Sequence, residues 1–433
     1  MKNFEKNIKK TFSGKAIFSI PGHKGRCDFD CGVDTTETKF TDNLYCPEGI
    51  IKEAQDAVSE VYGCKNSFFL TGGATVGIYA MVGACLSAGD KVIVDRSCHK
   101  SVFNIGMLLG LEYVYAEPSY LREFEIYGGV SEASLSEVIE KNKDAKAVII
   151  TSPNYYGIAS DVKSLADLAH KHKMLLLVDA AHGSHFNFSS LLPESAVLAG
   201  ADCVVHSFHK TLPALTQAAC LHTASSVAAD DVLNALSIFQ TSSPSYLIMS
   251  SICSAVEYMK KYGEDKLYES VRLCNDLRGK FDSTGKVCCL SGEDVDLSRL
   301  VLNFSRIDTL ASQVEARMKK SVPEVSAGNN MILIPSVKNN AKDFSVLKRE
   351  LLLILEDFAP NVKPIFRTAP EPLQVKMSLS KVFGSKCEFV SSKVAVGRVA
   401  GRFTTVVPPC TTIFPPGTLI TRDIGTDVCV VSE

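Results

Sequence analysis

The chain has 433 residues, with 46 Lys plus Arg against 48 Asp plus Glu and a formal net charge of -2. That balance gives no support to a nucleic-acid binder or a membrane-surface protein, and the length allows two or three domains while excluding a small disulfide-stapled module. Hydrophobic residues at 46% and charged residues at 22% fit a folded globular protein rather than a disordered one.

The 15 cysteines are odd in number and contain no C-x-x-C pair. They read as reduced thiols that mostly fill core. The charged start, Met1 to Lys10, lacks the apolar stretch of a cleavable leader, and no later run reaches the roughly 18 apolar residues of a membrane span. A soluble, cytoplasmic protein is expected.

Residues 48–62 place Ile50, Ile51, Ala54, Ala57, Val58 and Val61 at helical spacing, with Gly63 positioned to end the helix. Ser67 to Leu70 then predicts a strand that runs through the glycine turn TGGATVG into a buried helix. The alternation continues with a strand at 91–95, a helix near 101–109, strands at 112–115 and 147–151, and a helix at 133–142 between those two. A further helix at 161–173, with Ser160 as its N-cap, leads into the apolar strand 174–178. Such βα alternation argues for a mainly parallel sheet covered on both faces. Beyond about residue 265 strand-like pieces (300–304, 331–334) alternate with charged helices such as 344–357, which predicts a smaller C-terminal domain. The expected divisions are an N-terminal segment 1–47, a large domain 48–265 and a small domain 266–433. The stretch with Pro408, Pro409, Pro415 and Pro416 reads as irregular and extended.

In an open α/β sheet, ligands bind at the carboxyl ends of the strands. The strand 174–178 delivers Asp179 there, and the apolar run from Cys203 leads to Ser207, His209 and Lys210. A lysine at such a place is a candidate for Schiff-base chemistry, because burial lowers its pKa from about 10.4 toward neutrality; the alternative is a surface lysine after a strand. A buried Asp179 suits the protonated ring nitrogen of pyridoxal phosphate, or simply caps the next helix. TGGATVG supplies small residues at a helix start, where backbone N–H groups favour a phosphate, and it lacks the G-K-[ST] ending of a nucleotide-binding loop. His99 follows the strand 91–95 and is placed to lie on an aromatic ring, or to be a hydrogen-bonded structural residue.

These pieces occur together, in order, in PGHKG (Pro21 to Gly25), TDNLYCPEGIIKEAQ, FFLTGGATVG, DRSCHKS, VDAAHG, HSFHKTLPALTQ and TSSPSYLIMSS. From residue 18 to about 255 the chain resembles the ornithine/lysine/arginine decarboxylase family of pyridoxal-phosphate enzymes, in a short form without an N-terminal receiver-like domain. The resemblance implies a fold-type I, aminotransferase-like large domain with a mainly parallel seven-stranded sheet and a smaller α+β domain. It implies that Lys210 forms the Schiff base, Asp179 partners the ring nitrogen and His99 stacks on the ring. Gly73, Ala74, Thr75, Ser207 and His209 would surround the phosphate, Ala181 would pack against the ring, and His182 follows it. Thr241 matches a position that reaches the phosphate from a neighbouring subunit, so a homodimer or higher homo-oligomer with shared sites is implied. His209 and Lys210 are the candidates for returning a proton to Cα.

The implied reaction is decarboxylation of lysine, ornithine or arginine to the amine, within polyamine metabolism. The C-terminal part departs from the family pattern at Arg402, Val407, Cys410, Thr412 and Thr418, in a region whose acidic residues would suit a basic substrate. An aminotransferase or lyase reaction on the same cofactor, and a non-catalytic relative, are the competing readings. A metal enzyme built on the H-x-x-H pairs His182/His185 and His206/His209 is a further one, against which stands the lack of H-E-x-x-H. His23 and Lys24 in PGHKG read as a turn at the mouth of the site or as a basic surface turn.

Overall fold

The apolar periodicity is realised as a seven-stranded sheet in a computed structural model that describes residues 4–12, 32–307, 309–360, 370–406 and 411–432. PGHKG lies outside the described residues. The sheet strands are β1 (Asn66–Leu70), β2 (Lys91–Asp95), β3 (Glu112–Ala116), β4 (Ala147–Thr151), β5 (Leu175–Asp179), β6 (Cys203–His206) and β7 (Ala219–Thr223). Their order is β1-β7-β6-β5-β4-β2-β3. All neighbours pair in parallel except β7, which is antiparallel to both β1 and β6.

Strands covered on both faces need apolar side chains of both parities. In β5, Leu177 faces one core layer while Leu176 and Val178 face the other. Helices α3 (Ala74–Cys85), α4 (Lys100–Leu109) and α8 (Ala229–Phe239) cover the first layer, and α5 (Glu132–Lys141) and α6 (Val162–Lys171) cover the second. Helix α2 (Ile50–Tyr62) ends where expected, because Gly63 takes the left-handed conformation (φ 71°) and donates to the Ser59 carbonyl. The N-cap of α6 differs from expectation. Asp161, not Ser160, accepts from the Ser164 N–H (3.1 Å), while the Ser160 hydroxyl accepts from Val130 (3.0 Å).

Helix α9 (Tyr246–Asp282) runs 37 residues without a break through residue 265. Its first part packs with α2 and its last part supports a four-stranded sheet of β8 (Cys288–Cys289), β9 (Leu300–Asn303), β10 (Val325–Ala327) and β11 (Asn330–Leu333). Helix α11 (Ala341–Glu356) covers that sheet. The proline-rich stretch is more regular than its composition predicts: Thr404–Val406 and Thr411–Phe414 pair as antiparallel strands, Pro408 and Pro409 lying outside the described residues. No helix among the described residues is long and apolar enough to cross a membrane, and their cysteines are free thiols.

Candidate active site

Parallel register aligns the carboxyl ends of the central strands. Thr151 lies beside Asp179, and Asp179 beside Val205, two residues before Ser207. A cavity of about 490 Å³ opens over this edge, within the roughly 300–1,000 Å³ of small-molecule pockets. Gly73, Ala74, Thr75, His99, Asp179, Ala181, His182, Ser207, His209 and Lys210 all line it. Thr241 does not; it is exposed on the loop before α9, where its carbonyl accepts from the Tyr45 hydroxyl.

Each side chain is placed by its element. Gly73 enters α3 at φ 80° with its N–H on the Gln217 carbonyl (3.0 Å), so Ala74 and Thr75 open the helix at the cavity wall. The N–H groups and dipole of such a helix start favour an anion. Asp179 is 4% exposed and accepts from the Ala181 N–H (3.1 Å). His99 caps α4, its Nδ1 accepting from the Ser101 N–H (3.3 Å). Burial lowers its pKa, the Asp179 carboxylate opposing and Lys210 adding to the shift. Nδ1 of His209 lies 3.2 Å from the Ala218 carbonyl and 3.3 Å from the Ser207 hydroxyl.

Lys210 corrects one expectation. It is exposed within the cavity rather than buried. Its Nζ lies 3.2 Å from Nε2 of His182. His182 is 7% exposed, and burial, with Lys210 and Arg299 beside it, holds its imidazole far below the usual pKa.

Sequence reasoning missed four residues here. Glu324, just before β10, is the second carboxylate lining the cavity, and the Tyr155 hydroxyl donates to it (3.0 Å). Arg299 approaches Nδ1 of His182 (3.4 Å), and Asp296 pairs with His185 (3.1 Å). Of the C-terminal departures, Arg402 sits with its guanidinium 5.9 Å from the Phe389 ring, and Thr418 is buried with its hydroxyl on the Pro415 carbonyl (2.7 Å). Neither lines the cavity. Val407 and Cys410 lie outside the described residues, as does the side chain of Thr412. The H-x-x-H pairs do not converge: His182 faces Lys210 while His185 faces Asp296, and His206 packs on Tyr62 and His222 away from His209 in the cavity.

Residues 8–300 match the major domain of the Orn/Lys/Arg decarboxylases. The chain belongs to this family. The arginine decarboxylase of Bacillus subtilis is 30% identical over 443 residues, covering 96% of this chain and 90% of that one. An uncharacterized protein of the same organism is 33% identical, covering 94% and 89%. In structure, the lysine decarboxylase of Francisella novicida superposes with a TM-score of 0.81 at 15% identity, over 99% of this chain and 81% of that one. The Orn/Lys/Arg decarboxylase fold is fold-type I of the pyridoxal-phosphate enzymes, and this chain is a pyridoxal-phosphate-dependent decarboxylase. Its donor set fits that cofactor: a buried carboxylate, an imidazole, an amine and an uncapped helix start converge on one cavity.

Proposed function

We propose that this enzyme removes the α-carboxylate of a basic amino acid as carbon dioxide and releases the amine, at the cavity that holds Lys210, Asp179 and His99. The observation that carries the reading is the pair of carboxylates in one cavity. Asp179 sits at the sheet edge, where a cofactor nitrogen needs a partner, and Glu324 remains for a second cation. A lysine, ornithine or arginine side chain supplies that cation. With one lone pair of Glu324 taken by Tyr155, the rest are available to an ammonium or guanidinium. Arginine is the first candidate, because a relative aligned over nearly the whole chain is named for it.

When bound, pyridoxal phosphate supplies an aldehyde for an amine and a ring that accepts the electron pair left by the departing carboxylate. Asp179 would partner the ring nitrogen and keep it protonated, His99 would stack on the ring and Ala181 would pack against it. The N–H groups of Ala74 and Thr75, after the turn at Gly73, receive the phosphate together with Ser207 and His209. Lys210 would hold the cofactor through its aldehyde carbon, and Lys210 or His209 would return a proton to Cα. His182 supports its amine. Thr241 reaches the phosphate of a partner subunit, in a homodimer or larger homo-oligomer. We also place the enzyme in the cytoplasm and in polyamine metabolism, and divide it into an N-terminal segment 1–47, a cofactor-binding domain 48–265 and a small domain 266–433, with α9 shared across the last division.

The test is product identification by mass spectrometry after incubating cofactor-loaded enzyme with arginine, lysine or ornithine. Agmatine, cadaverine or putrescine with carbon dioxide is the expected result. A 2-oxo acid contradicts the reading in favour of amino transfer, and no product from any of the three contradicts it in favour of a non-catalytic relative.

A further inference from the structure

A chain of buried polar groups leads away from Lys210. Nζ of Lys210 lies 3.2 Å from Nε2 of His182, and Nδ1 of the same ring lies 3.4 Å from Nη2 of Arg299. Arg299 is 2% exposed, with Nη1 donating to the Tyr155 carbonyl and Nε 3.7 Å from the Asp296 carboxylate. Asp296 is 1% exposed and is fixed in turn by His185 (3.1 Å) and by the Ser298 hydroxyl (2.6 Å).

A guanidinium has donors and no acceptor. Its contact with Nδ1 of His182 is therefore a hydrogen bond only if Nδ1 carries a lone pair. His182 is neutral, because burial, with the Arg299 guanidinium beside it, opposes a positive charge on its ring. A neutral imidazole with a lone pair on Nδ1 carries its proton on Nε2, the nitrogen that faces Lys210. An N–H pointed at Nζ forms a hydrogen bond with an uncharged amine, which has a lone pair, and none with an ammonium.

We propose that Arg299 is a positioning residue that locks His182 in the Nε2–H tautomer, so that His182 donates to Lys210 and favours its uncharged amine. The uncharged amine is the form with a lone pair for a carbonyl carbon. A neighbour of this kind favours the neutral amine whether or not the lysine is buried. Among the described residues, the other charged or titratable groups of the cavity include the carboxylates of Asp179 and Glu324, which favour the ammonium, Tyr155, His99 from the start of α4, and His209, next to Lys210 in α7 (Phe208–Thr211). The inference rests on Lys210 being the carbonyl-binding lysine of the proposed function, and it concerns how that amine is kept reactive.

The direct test is nitrogen NMR of the full-length chain labelled in histidine, recorded before cofactor is added, with His182 assigned by the resonance lost in His182→Gln. A proton on Nε2 and none on Nδ1 is expected; a proton on Nδ1, or an even mixture, overturns the proposal. A second readout is the pH dependence of pyridoxal phosphate uptake, followed by absorbance. Arg299→Met removes the donor and should move the uptake profile up by about one pH unit, the size of one reversed hydrogen bond. Arg299→Gln keeps an N–H donor for Nδ1 and should retain most of the wild-type position. An unmoved profile in the methionine variant, or equal shifts in both variants, overturns the tautomer lock. If Arg299→Met does not fold, the wild-type tautomer decides alone. No amino-acid substrate enters either measurement, so a failure of decarboxylation leaves this inference standing, whereas a wild-type chain that takes up no cofactor contradicts the role of Lys210 itself.

Discussion

Glu324 carries the substrate-side argument, because it is the cavity carboxylate that the cofactor does not engage in the proposed arrangement. A charge-assisted hydrogen bond contributes about 1.5–3 kcal/mol, or roughly 10–100-fold. Glu324→Gln should therefore raise KM for the basic substrate by that factor with a smaller change in kcat; steady-state kinetics showing an unchanged KM would remove Glu324 from substrate recognition. Asp95 shows a different use of a buried carboxyl. It ends β2 at 2% exposure, and burial raises its pKa to about 6 although Ser97 and Thr151 donate to it. A folded value above the unfolded one of about 3.9 means that the folded chain binds the extra proton. This contribution, roughly 3 kcal/mol, is present below about pH 4 and lost as the pH rises through 6. Denaturation between pH 4 and 7 should show a flatter pH dependence in Asp95→Asn than in the wild type. Equal slopes would mean that Asp95 ionises as freely folded as unfolded.

At the scale of elements, α3 must lie close to the sheet for its first turn to reach the cavity. Gly77 permits this: a Cβ there would meet Leu70 Cδ1 at 2.5 Å and Val205 Cγ1 at 2.9 Å. Gly77→Ala should lower stability by about 1–3 kcal/mol, the usual size of overpacking, and weaken cofactor retention by shifting Ala74 and Thr75. A variant with wild-type denaturation and cofactor affinity would contradict that packing. Elements such as β5, whose LLLVD run is apolar to its last residue, were legible in the sequence because covered strands carry a local signal, and so were Asp179, His99 and Lys210 at strand ends. Glu324 and Arg299 were not legible. Nothing in the residues beside them marks a site; Glu324 reaches the cavity, and Arg299 reaches His182 behind it, only because α9 and the four-stranded sheet fold the later part of the chain against the carboxyl edge of β5. The N-cap of α6 was misplaced by one residue, since Ser160 and Asp161 are both good caps and only the tertiary partner Val130 separates them.

At the scale of the molecule, the two sheets meet at the site. The turn that carries Tyr155 is joined to the segment before β9 by the Asp296 N–H on the Gly157 carbonyl (2.8 Å), by the pairing of Ile158 with Val295, and by Arg299 on the Tyr155 carbonyl. Asp296 with His185 and Arg299 forms the buried polar centre of that junction, and its contacts with His185 and Arg299 overcome burial to hold the Asp296 carboxyl far below its usual range. In the proposed arrangement the large sheet carries Lys210, Asp179 and the helix start at Ala74, while the smaller sheet brings Glu324 and the groups behind His182. In the proposed reaction these parts act together at Lys210. Borohydride reduction of the cofactor-loaded, full-length enzyme followed by peptide mass mapping tests it most directly: the cofactor's mass fixed on Lys210 is the predicted result, and a label on another lysine, or a bound chromophore that reduction leaves unattached to the chain, would contradict it.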